Sequence, residues 1–163
     1  MEREPTISNF HVGHHARLGN LRMVRYRLDA GASIHGSYVL WGNPLVAACR
    51  WGHEDIVDFL LSRGTDPDYK GEKLSVFPTL FIVAKAGNFA IVRKLVESGA
   101  KVGFEEAFFS AVQLKYTVMV RYLLDFGRKM GFDVKEGGCL ISREAKSSGL
   151  ESMVELLQEE GII

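Results

Sequence analysis

Residues 43–68 read NPLVAACRWGHEDIVDFLLSRGTDPD, and this stretch decides the fold. Pro44 and Leu45 open a first short helix, along which Ala47, Ala48 and Cys49 supply small side chains. Gly52-His53 then breaks it, because glycine takes left-handed dihedrals at no steric cost. Ile56, Val57, Leu60 and Leu61 recur at helical spacing and give a second helix a buried stripe. Gly64 ends that helix as a C-terminal cap, and Asp66-Pro67-Asp68 continues as turn chemistry. The stretch is a helix–turn–helix unit too small to bury both of its faces alone.

The same unit recurs along the chain. Gly19 and Gly31, Gly52 and Gly64, Gly87 and Gly99, Lys115 and Gly127, and Gly149 and Gly161 are each twelve residues apart, with Lys115 the one departure from glycine. Between each pair lies one apolar pattern. It reads Met23, Val24, Tyr26, Leu28, then Ile56, Val57, Leu60, Leu61, then Ile91, Val92, Leu95, Val96. The fourth and fifth copies give Met119, Val120, Leu123, Leu124 and Met153, Val154, Leu156, Leu157. Successive units are offset by 33, 35, 28 and 34 residues. Length changes of this kind fall in the loops between helix pairs, since helix contacts tolerate little change.

The pattern resembles the ankyrin repeat, with its early Thr-Pro-Leu-His, its central Ala-Ala and Gly-His, its closing Gly-Ala-Asp and its period of about 33 residues. Asn43 stands where the family has Thr, and Val46 where it has His. The resemblance covers essentially 10–163 and is most specific in the second and third copies. It implies an all-α ankyrin-repeat solenoid of about five helix-turn-helix units with short or degenerate finger hairpins. The expected single domain spans 1–163, with repeats at about 10–42, 43–77, 78–103, 104–138 and 139–163. Helix pairs are expected at Phe10–Leu18 with Leu21–Ala30, Asn43–Arg63, Thr79–Ala86 with Phe89–Ser98, and Glu105–Leu114 with Thr117–Phe126. A last pair at about Leu140–Ser147 and Leu150–Glu160 has the polar outer face of a terminal cap. Asn20 and Asn88 are N-cap candidates, and Arg128–Gly138 is expected as a loop.

Composition narrows the function classes. Hydrophobic residues make up 47% and charged residues 25%, enough to bury a core. Twenty basic and twenty acidic residues cancel, and no block of like charge stands out, which argues against nucleic acid as a partner. No run approaches the roughly eighteen apolar residues of a membrane span, and the polar opening MEREPTISNF has no apolar signal core. Cys49 and Cys139 lie far apart and suit small buried residues better than a disulfide framework. An intracellular setting is expected, the cytoplasm ahead of the nucleus, with no cofactor.

In ankyrin-like folds ligands generally meet the finger tips and the first helix of each pair. Tyr38-Val39-Leu40-Trp41 falls on the first finger tip, where four apolar or aromatic residues are costly unless something covers them. Trp and Tyr are frequent energetic centres of interfaces. The competing reading folds this finger over a neighbour as core. Trp51 precedes the helix-breaking Gly52, and Arg17, Leu18, Arg50, Lys85, Ala86, Gln113 and Leu114 hold matching positions in other copies. Arg17, Arg50 and Lys85 form a row able to accept an acidic peptide or a phosphorylated or carboxylated ligand, or else a solvated basic stripe. His11, His14 and His15 share a helical face but lack a further ligand motif. Cys49 suits packing better than nucleophilic catalysis, and Phe104, Phe108 and Phe109 read as core fill where the third finger is missing.

The first functional reading is a protein–protein interaction module, a scaffold, adaptor or regulatory subunit, binding a partner through Tyr38, Leu40, Trp41, Arg50, Trp51, Lys85 and Arg17. Self-association through the Tyr38–Trp41 finger belongs to the same reading. The second is a small enzyme or small-ligand binder, with His14, His15 or a groove acid as acid–base groups, or with a pocket near Phe81, Phe104 and Phe108. No catalytic constellation accompanies it, so an enzyme is the less favoured. A Tyr38→Ser/Trp41→Ser variant separates interface from core. An interface finger leaves far-UV circular dichroism and melting temperature unchanged, and light scattering then reports any lost dimer; early melting assigns the finger to the core.

Overall fold

The computed structural model describes residues 10–36, 43–68, 77–132 and 151–161. Among the described residues there are nine helices and no strand. They are α1 (Phe10–Arg17), α2 (Leu21–Asp29), α3 (Pro44–Trp51), α4 (Glu54–Ser62), α5 (Thr79–Lys85), α6 (Phe89–Glu97), α7 (Phe104–Gln113), α8 (Thr117–Met130) and α9 (Glu151–Glu159). Each pair forms an antiparallel hairpin, and the hairpins stack. Helix α1 packs on α3, α3 on α5 and α5 on α7, while α2 meets α4 and α4 meets α6. The first set is called the inner row below and the second, continued by α8 and α9, the outer row.

Side-chain size explains the stacking. The inner helices bury Val12 and Ala16, Leu45 and Ala48, Val83 and Ala84, Ala107 and Ala111, so small residues let their axes approach. The outer helices contribute the larger apolar stripe Val24, Ile56, Val57, Leu60, Ile91, Leu95, Met119, Leu123, Leu124, Met153 and Leu157, all essentially buried. Burying each such side chain contributes about 1.5–3 kcal/mol, and neighbouring repeats share one continuous core. Caps set the helix starts. The Oδ1 atoms of Asn20, Asn43 and Asn88 accept from the N–H groups of Met23 (3.0 Å), Val46 (2.8 Å) and Ile91 (3.2 Å), each worth about 1 kcal/mol.

Between the helices of a pair the chain turns through a left-handed residue, and the next repeat leans on that turn. Gly19 has φ 73°, and a Cβ there would lie 2.8 Å from the His53 ring. That ring is held in place because His53 Nε2–H donates to the Arg17 carbonyl at 2.8 Å. Gly52 meets Asn88 and Gly87 meets Tyr116 in the same way. Lys115 supplies the fourth turn at φ 61°, the conformation of the glycines it replaces. The missing glycine therefore leaves the turn geometry intact.

Two connections depart from the regular pattern. After α6 the chain reaches α7 through residues 98–103 alone, and the Asp68 carboxylate of the preceding connection accepts from the N–H groups of Lys101 (2.9 Å) and Val102 (3.1 Å). The expected end of the fourth pair near Phe126 is corrected by the structure. Helix α8 runs on to Met130, Gly127 is buried within it, and Gly131 (φ 74°) takes over as the cap. The extra turn carries Phe132 onto Phe104, where the rings stack at 4.6 Å. The first helix expected for the fifth pair lies outside the described residues; its second is α9.

Substitutions at these turns should separate strain from contact. Gly64→Ala, with open space at its Cβ, should cost about 1 kcal/mol of left-handed strain. Gly19→Ala should cost at least about 1 kcal/mol more, since it also displaces a hydrogen-bonded ring. Lys115→Gly should stabilise by up to about 1 kcal/mol. Urea midpoints at constant slope measure all three.

Candidate functional site

The inner helices end in a row of exposed residues just before each left-handed turn. Leu18 is 55% exposed, Trp51 39% and Leu114 43%. Arg50, Lys85, Ala86, Gln113 and Lys115 are exposed beside them, and Arg17 is half-buried. The reason is local. The stripe facing the core uses positions one to three residues earlier, such as Ala16, Ala48, Ala84 and Ala111, so the last residues of each inner helix point away from it.

Trp51 is the centre of this row. The Arg17 guanidinium lies 5.6 Å from its ring centroid and that of Arg50 5.9 Å. Arg17 comes from one repeat and Arg50 from the next, so the indole ties two repeats together through cation–π attraction. One repeat further on, Lys85 Nζ lies 5.7 Å from the Phe81 ring, and Phe77, 54% exposed, packs on Phe81 at 5.2 Å. The structure thus brings together Arg17, Arg50 and Trp51, and sets Lys85 with Phe81 and Phe77 on the following inner helix. Tyr38, Leu40 and Trp41 lie outside the described residues. Sequence reasoning passed over Phe81 as a partner of Lys85, although the two are four apart on one helix and therefore share a face.

Charge is distributed unevenly between the rows. Every ion pair seen between described residues joins members of the outer row. Arg63 meets Asp29 at 2.8 Å, Lys94 meets Asp58 at 2.6 Å, Arg121 meets Glu159 at 3.3 Å and Arg128 meets Glu160 at 3.0 Å, each pair linking one repeat to the next. These contacts are largely exposed and individually weak. On the inner row Arg50, Lys85 and Lys115 face no carboxylate among the described residues, and only aromatic rings accompany Arg50 and Lys85.

The other candidates take their places elsewhere. His14 and His15 sit half-buried on α1 with their rings edge-on at 5.9 Å. Among the described residues no cluster of three His, Cys, Asp or Glu side chains could hold a metal ion. Phe104 and Phe108 are buried in the core, and Phe104 packs against Phe126 and Phe132. An open hollow of about 330 Å³ lined by Asp58, Leu61, Lys94 and Glu97 lies between α4 and α6, away from this row. Cys49 is buried and free, and burial pushes its thiol well above the ordinary range.

Comparison with known proteins now bears on this geometry. The ankyrin-repeat family model matches residues 43–72, the stretch that carries Trp51 and its turn. Residues 43–72 are an ankyrin repeat, and the helices stack as an ankyrin-repeat solenoid. A Drosophila melanogaster protein, fem-1 homolog CG6966, is 33% identical over 105 residues, which cover 57% of this chain and 16% of that relative. The chain therefore spans about a sixth of the relative's length. Ankyrin repeats generally mediate protein–protein interaction, and among the described residues no helix is long and apolar enough to cross a membrane.

The buried state of Cys49 yields a direct check. In a Cys139→Ser background, the native protein should leave Cys49 unreactive toward a disulfide-exchange reagent at pH 8, because the thiolate is the reacting form. Full labelling should appear only in denaturant. Stoichiometric labelling under native conditions would contradict the packing described.

Proposed function

We propose that this ankyrin-repeat chain is a protein-interaction module, one domain over 1–163, whose partner docks on the ends of the inner helices. Trp51 anchors the contact, Arg17, Arg50 and Lys85 flank it, and Tyr38, Leu40 and Trp41 of the first finger extend it. The observation that supports this reading is the exposed indole of Trp51 with the Arg17 and Arg50 guanidinium groups, from adjacent repeats, 5.6 Å and 5.9 Å from its ring centroid. An aromatic ring fixed before binding loses little side-chain freedom on association, and aromatic and Arg side chains dominate interface energetics. Leu18, Leu114 and Phe77 add apolar surface along the same line. An exposed row of this kind gains by being covered.

Site-specific photo-crosslinking tests the reading. A photoreactive residue at position 86, beside Lys85, should give discrete adducts in extracts of the source cells. A photoreactive residue at position 93 on the outer row should not. The position-86 adducts should disappear when Trp51→Ala and Arg50→Glu are combined, with helicity retained. Adducts from position 93 alone would move the interaction to the opposite face.

A further inference from the structure

We infer that the partner segment bound along this row is an extended, acidic protein segment carrying apolar residues between its carboxylates. The inference rests on the interaction reading above and names the chemistry of the partner. Its basis is the charge at the ends of the inner helices. On the outer row Arg63, Lys94, Arg121 and Arg128 are met by carboxylates one repeat away, while Arg25 of α2 meets the Phe59 ring instead. On the inner row Arg50 and Lys85 in the last turns of α3 and α5, and Lys115 in the turn after α7, have no carboxylate opposite them among the described residues, and the acids Glu105 and Glu106 lie in the first turn of α7. The last turns of α1, α3 and α5 carry cations and no acid, which makes these ends complementary to negative charge in a chain whose formal charge is zero.

Spacing selects the form of the ligand. Inner helices of adjacent repeats pack side by side, so Arg50 and Lys85, which hold equivalent positions two residues before the turn, are separated by about 10 Å. A polyproline II segment repeats its side-chain direction every three residues and rises about 3.1 Å per residue, so carboxylates at every third position of such an extended segment keep step with the repeats. Between the cations stand Trp51, Leu114 and, at the first repeat, Leu18, all exposed, which suit the apolar residues between the acids. Duplex nucleic acid carries one charge per roughly 1.7 Å of axis, far denser than this row. Its binding draws on many phosphate contacts, which a single line of cations does not supply.

Fluorescence anisotropy on the full chain tests the inference. The probe is a labelled peptide of about twelve residues with Glu at every third position and Leu and Ser between, compared with its Lys counterpart and with labelled single-stranded DNA. The Glu peptide should bind, and its affinity should fall at least about tenfold on Arg50→Glu/Lys85→Glu and weaken as salt is raised to roughly 0.3 M. Arg93→Glu on the outer row should leave it within about twofold, and Arg50→Gln/Lys85→Gln, checked by circular dichroism, guards against misfolding. Equal binding of the Lys peptide, tighter binding of DNA, or indifference to the charge reversal would overturn the inference. If position 86 still crosslinks a partner through a segment without acids, the interaction module stands and its acidic ligand falls. If neither crosslink nor peptide binding appears, both fall.

Discussion

The left-handed turn closing each inner helix is the constraint on which the remaining structure depends. It reverses the chain within a few residues, so the outer helix folds back on the inner one and the two apolar stripes meet. It also leaves a bare backbone patch against which the next repeat sets a side chain, His53 on Gly19 and Tyr116 on Gly87. A Cβ at these points would force the repeats apart, so one local dihedral controls both the hairpin and the stacking. Lys115 accepts the same dihedral at the expense of some strain. The turn is thus imposed by packing on both sides and not by glycine alone.

Much of this was legible in the sequence because the repeat is written in two periods at once. The twelve-residue glycine spacing and the helical stripe between glycines agree wherever they can be compared, and that agreement located the helix pairs to within a residue or two. Where the periods disagree with tertiary contacts, reading along the chain failed. Gly127 holds the position of a closing glycine, yet the stacking of Phe132 on Phe104 rewards another turn of helix. A ring contact across 28 residues leaves no periodic trace. The brace from Asp68 to Lys101 and Val102 is similar, because nothing in a turn-forming Asp announces that it will cap a connection in the following repeat.

The candidate site was legible as a set of positions and not as an arrangement. Counting from the glycines placed Arg17, Arg50, Trp51 and Lys85 at equivalent points, and all four lie on the inner row. That Arg17 and Arg50 both approach one indole follows from the distance between repeats, which sequence does not state. The gathering of Arg17, Arg50 and Lys85 beside aromatic rings at the ends of the inner helices is likewise a property of neighbours in space. Composition, with its balanced charges, concealed it.

The leaning of each repeat on its predecessor gives the chain a direction. The turn at Gly19 is finished by His53, that at Gly52 by Asn88 and that at Gly87 by Tyr116, always from the C-terminal side. A repeat emerging during synthesis therefore waits for its successor before its turn is covered, while it needs nothing of the kind from the repeat before it. Domains assemble from the N-terminus as the chain is made. In this protein the newest helix pair at the ribosome is always the incomplete one, and the growing array is consolidated one step behind the advancing end.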